Sequence, residues 1–323
     1  MTYDIAPLFC RPWTLNGLTP KLIESHYEHN YGSAVVRLNA VMREIDSLAS
    51  GSTAAGSREF ARLKQEEYAL LQSALLHEIY FASLGGDGRT LPEVIGKAVT
   101  ADFGSIQRWR DEFINLARAL SESPGWVLLS YLPRTGKLIN HSAEGGGPAA
   151  PGSIPVLALD MHEHAYHLDF GANAEAYIAA FMRNIDWRAA EARYNQAKSI
   201  EPPPRLAQEE FSGLPSVSVE EVRAMRERGE KVQIIDTRPR HYAARAQDMI
   251  EGAVWRDPER LQDWIGELSK DEPVVTFCVY GFHIGCQTAG ALREAGFDAK
   301  YMAGGHYGWK ALQGPMQLFT GTR

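Results

Sequence analysis

Residues 154–170 read IPVLALDMHEHAYHLDF. The uncharged apolar run of residues 154–159 has the length and composition of a buried strand. It ends in Asp160, His162, Glu163, His164 and His167, crowded into eight residues. Imidazole and carboxylate groups are the donors that iron, manganese and zinc accept, and the end of a strand is a rigid place to mount them. The fold therefore turns on which earlier residues meet this strand end.

Upstream, Thr19-Pro20 is a helix start signal, and KLIESHYEHNYGSAVVRLNAVMREIDSLA carries apolar residues at helical spacing as far as SGSTAAGS. From Arg58, REFARLKQEEYALLQSALLHEIYFASL repeats the pattern and stops at GGDG, so residues 20–86 read as an antiparallel helical hairpin. His26 lies roughly 24 residues before the turn and His77 roughly 20 after it, about 30–35 Å along each helix, which brings them level. Asp160 and His164 then complete a set of three histidines and one carboxylate. Such mixed nitrogen and oxygen ligation suits iron, manganese or zinc better than copper.

Between about residues 90 and 200 a helix near Ser105–Ser121, the apolar segments GWVLLSYL and GKLIN, the loop EGGGPAAPG, the strand IPVLAL and a final helix predict a small α+β unit on the hairpin. Three consecutive prolines mark residues 201–214 as a semi-rigid linker between domains. Beyond it, VQIID, AVW, PVVTF and AKYM alternate with helical stretches, the pattern of a parallel sheet with crossover helices.

The chain of 323 residues is long enough for two cores. Its charge of −7 argues against a nucleic-acid or anionic-membrane partner. Cys10, Cys278 and Cys286 are too few and scattered for a disulfide framework. With no signal-like or membrane-length apolar run, a cytoplasmic location is expected.

The stretches HYEHNYGSAVVRLN, LLHEIYFASL and DMHEHAYHLDFGANAEAYIAAFMRNIDWRAAEARY make residues 1–200 similar to the iron/manganese superoxide dismutases. The resemblance implies one iron or manganese ion per subunit on His26, His77, Asp160 and His164. It also implies a homodimer in which Glu163 reaches the opposite subunit's ligand histidine. Other positions depart from the family. Its gateway tyrosine falls on Ala34 and the accompanying histidine on Asn30. His167 replaces a tyrosine that bonds across the dimer, and His162 replaces a tryptophan packed on the metal. The family's glutamine or histidine beside bound solvent would fall on Ser73, one residue from Gln72, or near Gly145 and Gly146, and neither place supplies it. Trp126 matches. The first set of ligands thus reads as intact and its surroundings as rewritten.

In PVVTFCVYGFHIGCQTAGALREAGF a cysteine ends a strand, and a short loop leads into a helix. Loop amides and a helix N-terminus both favour a thiolate. With IIDTRP, MIEGAV and YMAGGHYGW, residues 215–323 resemble a rhodanese domain. This implies a persulfide-carrying nucleophile at Cys278 within the loop Val279, Tyr280, Gly281, Phe282 and His283. His283 stands where the family often has arginine, so anionic donors such as thiosulfate are expected to bind less well. Met249 replaces a usual histidine, Asp236 and Arg238 match a structural pair, and Cys286 reads as core.

The fold class expected is two domains: a helical hairpin plus α+β, then α/β with a parallel sheet. The function expected is dismutation joined to sulfur transfer on Cys278. Two alternatives stay open: sulfur transfer alone, with the metal domain serving dimerisation, and a non-enzymatic redox-sensing module.

Overall fold

The computed structural model describes residues 2–8, 10–50, 58–144, 150–200 and 213–319. The chain divides into two compact units, Met1–Pro203 and Pro204–Arg323. The proline run and most of the expected linker lie outside the described residues, as do Gly145 and Gly146.

In the first unit, α1 (Pro20–Ser25) begins as the sequence predicts. The Thr19 side chain accepts from the Leu22 amide, and Pro20 opens the first turn, where its missing N–H costs nothing. The helix does not run straight on. His26–Tyr31 form a π-helical segment, closed by the Gly32 amide donating to the Tyr27 carbonyl, before α2 (Gly32–Ala49) resumes the ordinary pitch. The partner α3 (Arg58–Ala82) packs Leu63 and Leu70 on Leu38, Val41 and Ile45. Further along, the His26 and His77 rings lie 5.0 Å apart, as an antiparallel hairpin requires.

Two helices follow, α4 (Glu93–Phe103) and α5 (Ile106–Ala119), the second capped by Ser105. Then β1 (Gly125–Leu132), β2 (Lys137–Glu144) and β3 (Ile154–Asp160) form an antiparallel sheet ordered β2-β1-β3. β1 is central and is buried along nearly its whole length on both faces, so it reads as a continuous apolar run rather than an alternating one. The short α6 (His167–Phe170) precedes α7 (Ala174–Asn184) and α8 (Trp187–Lys198). The single closing helix expected from sequence is therefore broken, because Asp186 caps α8 by accepting from the Arg188 and Ala189 amides.

Arg193 of α8 braces this arrangement. Its guanidinium donates to the Val156 carbonyl on β3 at 2.7 Å and to the Ala82 carbonyl and Ser83 hydroxyl at the end of α3. It thus fixes the strand that ends in Asp160 against the helix that carries His77. Burial lowers the guanidinium pKa to about 10.

The second unit contains β4 (Ser216–Ser218), α9 (Val219–Glu227), β5 (Gln233–Asp236), α10 (Arg240–Ala246), β6 (Asp248–Ile250), β7 (Val254–Trp255), α11 (Leu261–Trp264), β8 (Val274–Phe277), α12 (Ile284–Glu294), β9 (Ala299–Ala303), α13 (Gly305–Ala311) and β10 (Met316–Leu318). Five strands pair in the order β4-β9-β8-β5-β7, all parallel. The sheet is covered on both faces, by a cluster around Val275, Phe277 and Trp309 and by another around Val274, Trp264 and Leu292. β6 and β10 form a separate antiparallel pair. Met249 is buried in it, packed in the first of these clusters.

Candidate metal centre and sulfur loop

Four elements deliver the four polar side chains. His26 opens the π segment, His77 lies on α3, Asp160 ends β3, and His164 sits in a 3-10 turn at Glu163–Ala165. Their candidate donor atoms all lie within 4.8 Å of one another. The Nε2 atoms of His26, His164 and His77 stand 3.1, 3.0 and 3.7 Å from one oxygen, Asp160 Oδ2. Donors held at about 2.1 Å from a common ion are about 3.0–3.6 Å apart for angles between 90° and 120°, so these spacings fit a single cation.

Hydrogen bonds aim the donors. His77 Nδ1 donates to the Ser73 carbonyl at 2.7 Å, which directs Nε2 into the cluster as a lone pair. His77 Nε2 and His26 Nδ1 are buried without a hydrogen-bond partner. Burial pushes the His77 pKa down to about 3 and that of His26 in the same direction, so both rings are neutral near pH 7 and competent as ligands. Burial alone would raise Asp160, but hydrogen bonds from His162, His164 and His26 outweigh it and hold the carboxyl well below the usual carboxylate range. A buried carboxylate among imidazoles requires protons on the facing nitrogens or one cation between them.

The surroundings differ from the first set in character. The His162 amide and ring Nδ1 reach Asp160 Oδ1 at 2.9 and 2.6 Å, leaving Oδ2 to face the histidines. The His162 ring stacks on His164 with centroids 5.2 Å apart, and Trp126 sets its ring edge-on to His77 and His162. The Tyr177 hydroxyl donates to the Asp160 carbonyl at 2.7 Å, and Phe81 and Tyr80 pack on His26. Ala34 is buried and offers no hydrogen-bonding group, while Asn30 is half-buried. Glu163 and His167 are exposed.

Sequence reasoning passed over Tyr31 and Glu78. The buried Tyr31 ring lies 6.1 Å from His77, and its hydroxyl accepts from the Ala6 amide and donates to Glu78 Oε1. Tyr3 donates to the same oxygen. Glu78 follows His77 directly, which was the available signal, but nothing local announced two phenols arriving from residues 3 and 31.

In the second unit Cys278 follows β8 at the carboxyl edge of the sheet, where open α/β sheets receive ligands. The His306 and Tyr307 amides donate to the Cys278 and Val279 carbonyls at 2.9 and 3.1 Å. Gly281, at φ +74°, lies against the Gly304 and Gly305 amides so closely that a Cβ there would stand 2.5 Å from each. Only glycine satisfies both the backbone angle and the contact. Asp236 and Arg238 form a fully buried bidentate pair rather than a surface salt bridge, and Arg238 also donates to the Asp248 carbonyl. Cys286 is buried, and its thiol is pushed up to about 12 by burial first and by Cys278 second.

Known proteins align with both units. The description "iron/manganese superoxide dismutases, C-terminal domain" matches residues 92–193, and "rhodanese-like domain" matches residues 218–312. The chain is 47% identical over 197 residues to a superoxide dismutase [Fe] of Cupriavidus metallidurans, covering 61% of this chain and 98% of that protein. It is 29% identical over 192 residues to a superoxide dismutase [Fe] of Aquifex aeolicus, across 58% of this chain and 89% of the relative. It is also 29% identical over 212 residues to a superoxide dismutase [Mn] of Haloferax volcanii, across 62% and 99%. No described helix is long and apolar enough to cross a membrane. Through its first unit, then, the chain belongs to the iron/manganese superoxide dismutase family, and it carries a rhodanese-like domain behind that unit.

Proposed function

We propose that the first unit binds iron or manganese at His26, His77, Asp160 and His164 and dismutes superoxide, and that the second transfers sulfane sulfur through Cys278. The observation that carries the first half is the convergence of three imidazole nitrogens on Asp160 Oδ2. The bound ion would supply a one-electron couple, oxidising one superoxide to dioxygen and reducing the next to peroxide.

The chain's own side chains do the rest. Ser73 holds the His77 tautomer, Tyr177 holds the Asp160 backbone carbonyl, and His162 holds the Asp160 carboxylate. Trp126, Tyr80 and Phe81 keep water from the rear of the cluster. Proton supply is where the site is thin. Ala34 has no proton to give, and the Tyr31 hydroxyl is already committed to Glu78. That observation supports a second reading, in which the metal unit turns over slowly and sulfur transfer is the main activity.

Elemental analysis of the isolated full-length protein, paired with a dismutation assay, separates them. The first reading expects bound iron or manganese and a rate per ion far above that of the free ion; a rate no better than the free ion leaves the second. The unit is further proposed to form a homodimer through the surface bearing Glu163 and the partly exposed His164, which sedimentation velocity tests.

For the second unit, the Cys278 thiolate attacks a donor's outer sulfur. The donor's S–S bond breaks with its electron pair leaving on the donor remnant, and Cys278 becomes a persulfide. An acceptor thiolate then removes the outer sulfur and regenerates the Cys278 thiolate, with no external oxidant. Loss of sulfur transfer in Cys278→Ala is the expected result, and retained transfer would remove this assignment.

A further inference from the structure

Beside Cys278 lies a cavity of about 160 Å³ whose walls are Tyr242, Val279, Tyr280, Phe282 and Ile284, with His283 the one lining group able to carry positive charge. Among the described residues of the second unit, the exposed large aromatic side chains are Tyr242, Tyr280, Phe282 and Tyr307, at 42%, 54%, 44% and 55% exposure. Three of them line the cavity beside this one thiol, and Tyr307 stacks on Tyr280. Tyr280 stacks on Phe282 at 19° between planes and on Tyr307 at 29°, so three ring faces stand roughly parallel at the mouth. Exposed aromatic rings concentrated around a reactive atom mark a contact surface, not a packing defect.

Charge points the same way. Arg238, Arg245 and His306 line a separate, smaller cavity on the far side of Tyr242 and Val279, and the Arg238 charge is neutralised by Asp236. A small inorganic dianion at Cys278 would therefore exchange its hydration for aromatic faces with little compensating charge. A flat apolar group would gain by the same exchange. The size admits one ring, because an apolar cavity of about 150 Å³ takes up benzene.

Resting on the sulfur-transfer reading of Cys278, we propose that this site selects organic sulfane-sulfur donors bearing a single aromatic ring over thiosulfate. With an aryl thiosulfonate the Cys278 thiolate attacks the terminal sulfur. The S–S bond breaks, aryl sulfinate departs with the electron pair, and Cys278 keeps the sulfur as a persulfide. Two anions enter and two leave, so the step balances without a co-reactant. The ring's place is in the aromatic mouth, with the thiosulfonate sulfur facing Cys278.

The test uses the full-length protein with benzenethiosulfonate, methanethiosulfonate and thiosulfate, following the gain of one sulfur on the Cys278 peptide by mass spectrometry. Each kcat/KM is divided by the same donor's rate with free cysteine. The normalised phenyl-to-methyl ratio is expected to be roughly tenfold or more, the effect of burying one aromatic ring. It should fall at least about threefold in Tyr280→Ala and in Phe282→Ala and be restored in Tyr280→Phe. A variant that merely folded poorly would lower all three donors together and leave the ratio unchanged. A phenyl-to-methyl ratio near one, thiosulfate equal to the aryl donor, or a ratio untouched by both alanine variants overturns the selectivity. Failure of every donor to sulfurate Cys278 instead removes the sulfur-transfer reading beneath it.

Discussion

The two sites solve opposite problems of assembly. The metal cluster draws single side chains from residues 26, 77, 160 and 164, and it exists only when a hairpin and a strand end arrive together. The sulfur loop is contiguous, residues 278–283, and its shape is fixed by backbone contacts with Gly304 and Gly305. The first is buried and polar, with imidazole rings around a charged carboxylate. The second is half-open and aromatic, with few charges of its own. The lesson is that a site assembled from distant elements depends on its braces, while a contiguous one depends on its rim.

The contrast breaks most sharply at Asp160. In Asp160→Ala the isolated protein should lose its bound metal, a loss beyond the 10–100-fold typical of outer partners, while sulfuration of Cys278 continues. Elemental analysis and the sulfur assay on one preparation check both halves, and a joint loss would mean the two regions are not independent.

Next come the braces. Arg238→Met leaves the buried Asp236 uncompensated and should destabilise the second unit by about 3–5 kcal/mol. Arg193→Met strands the Val156 and Ala82 carbonyls and should cost the first unit about 2–3 kcal/mol. Urea unfolding of the full chain reads both, and the order would reverse if the neutral acceptors mattered more than the carboxylate.

A smaller effect is expected from His162→Phe, which keeps a ring over His164 and the amide bond to Asp160 Oδ1 but removes the ring's bond to that oxygen. Metal affinity should fall about tenfold, as a competition titration with a chelator would show. The last concerns pH. Burial first, and the Arg238 charge second, push His306 down to about 4, against Asp248 facing it at 2.9 Å. Between pH ~6.5 and about 4 the unfolded chain therefore takes up a proton that the folded one refuses, so the second unit should lose stability as pH falls through this window. His306→Asn should flatten that slope in unfolding curves taken across the range.

Much of this was legible in the residues alone. Asp160 and His164 stood at a strand end, and two helices of matched length put His26 beside His77. Cys278 was legible because strand, loop and helix follow one another in sequence. The Tyr31–Glu78–Tyr3 bonds were not, since each depends on tertiary approach with no local signature. Asp236 and Arg238 are two residues apart and easily noticed, yet their burial is decided by Asp248 and Trp255 from other elements. Nor did the sequence show where a helix would widen, because a π segment needs no residue type of its own.

That widened segment, His26–Tyr31, has a consequence for how the gene can drift. Excising one codon between Tyr27 and Tyr31 would restore ordinary pitch and give the backbone a more regular helix. Because the wide turn takes up one residue more than an ordinary one, α1 and α2 would keep nearly the same bearing, and the side chains redirected would be those inside the segment itself, Tyr31 beside His77 among them. A shorter, tidier helix would thus leave His26 nearly in place and alter instead the wall of the cluster that the segment supplies.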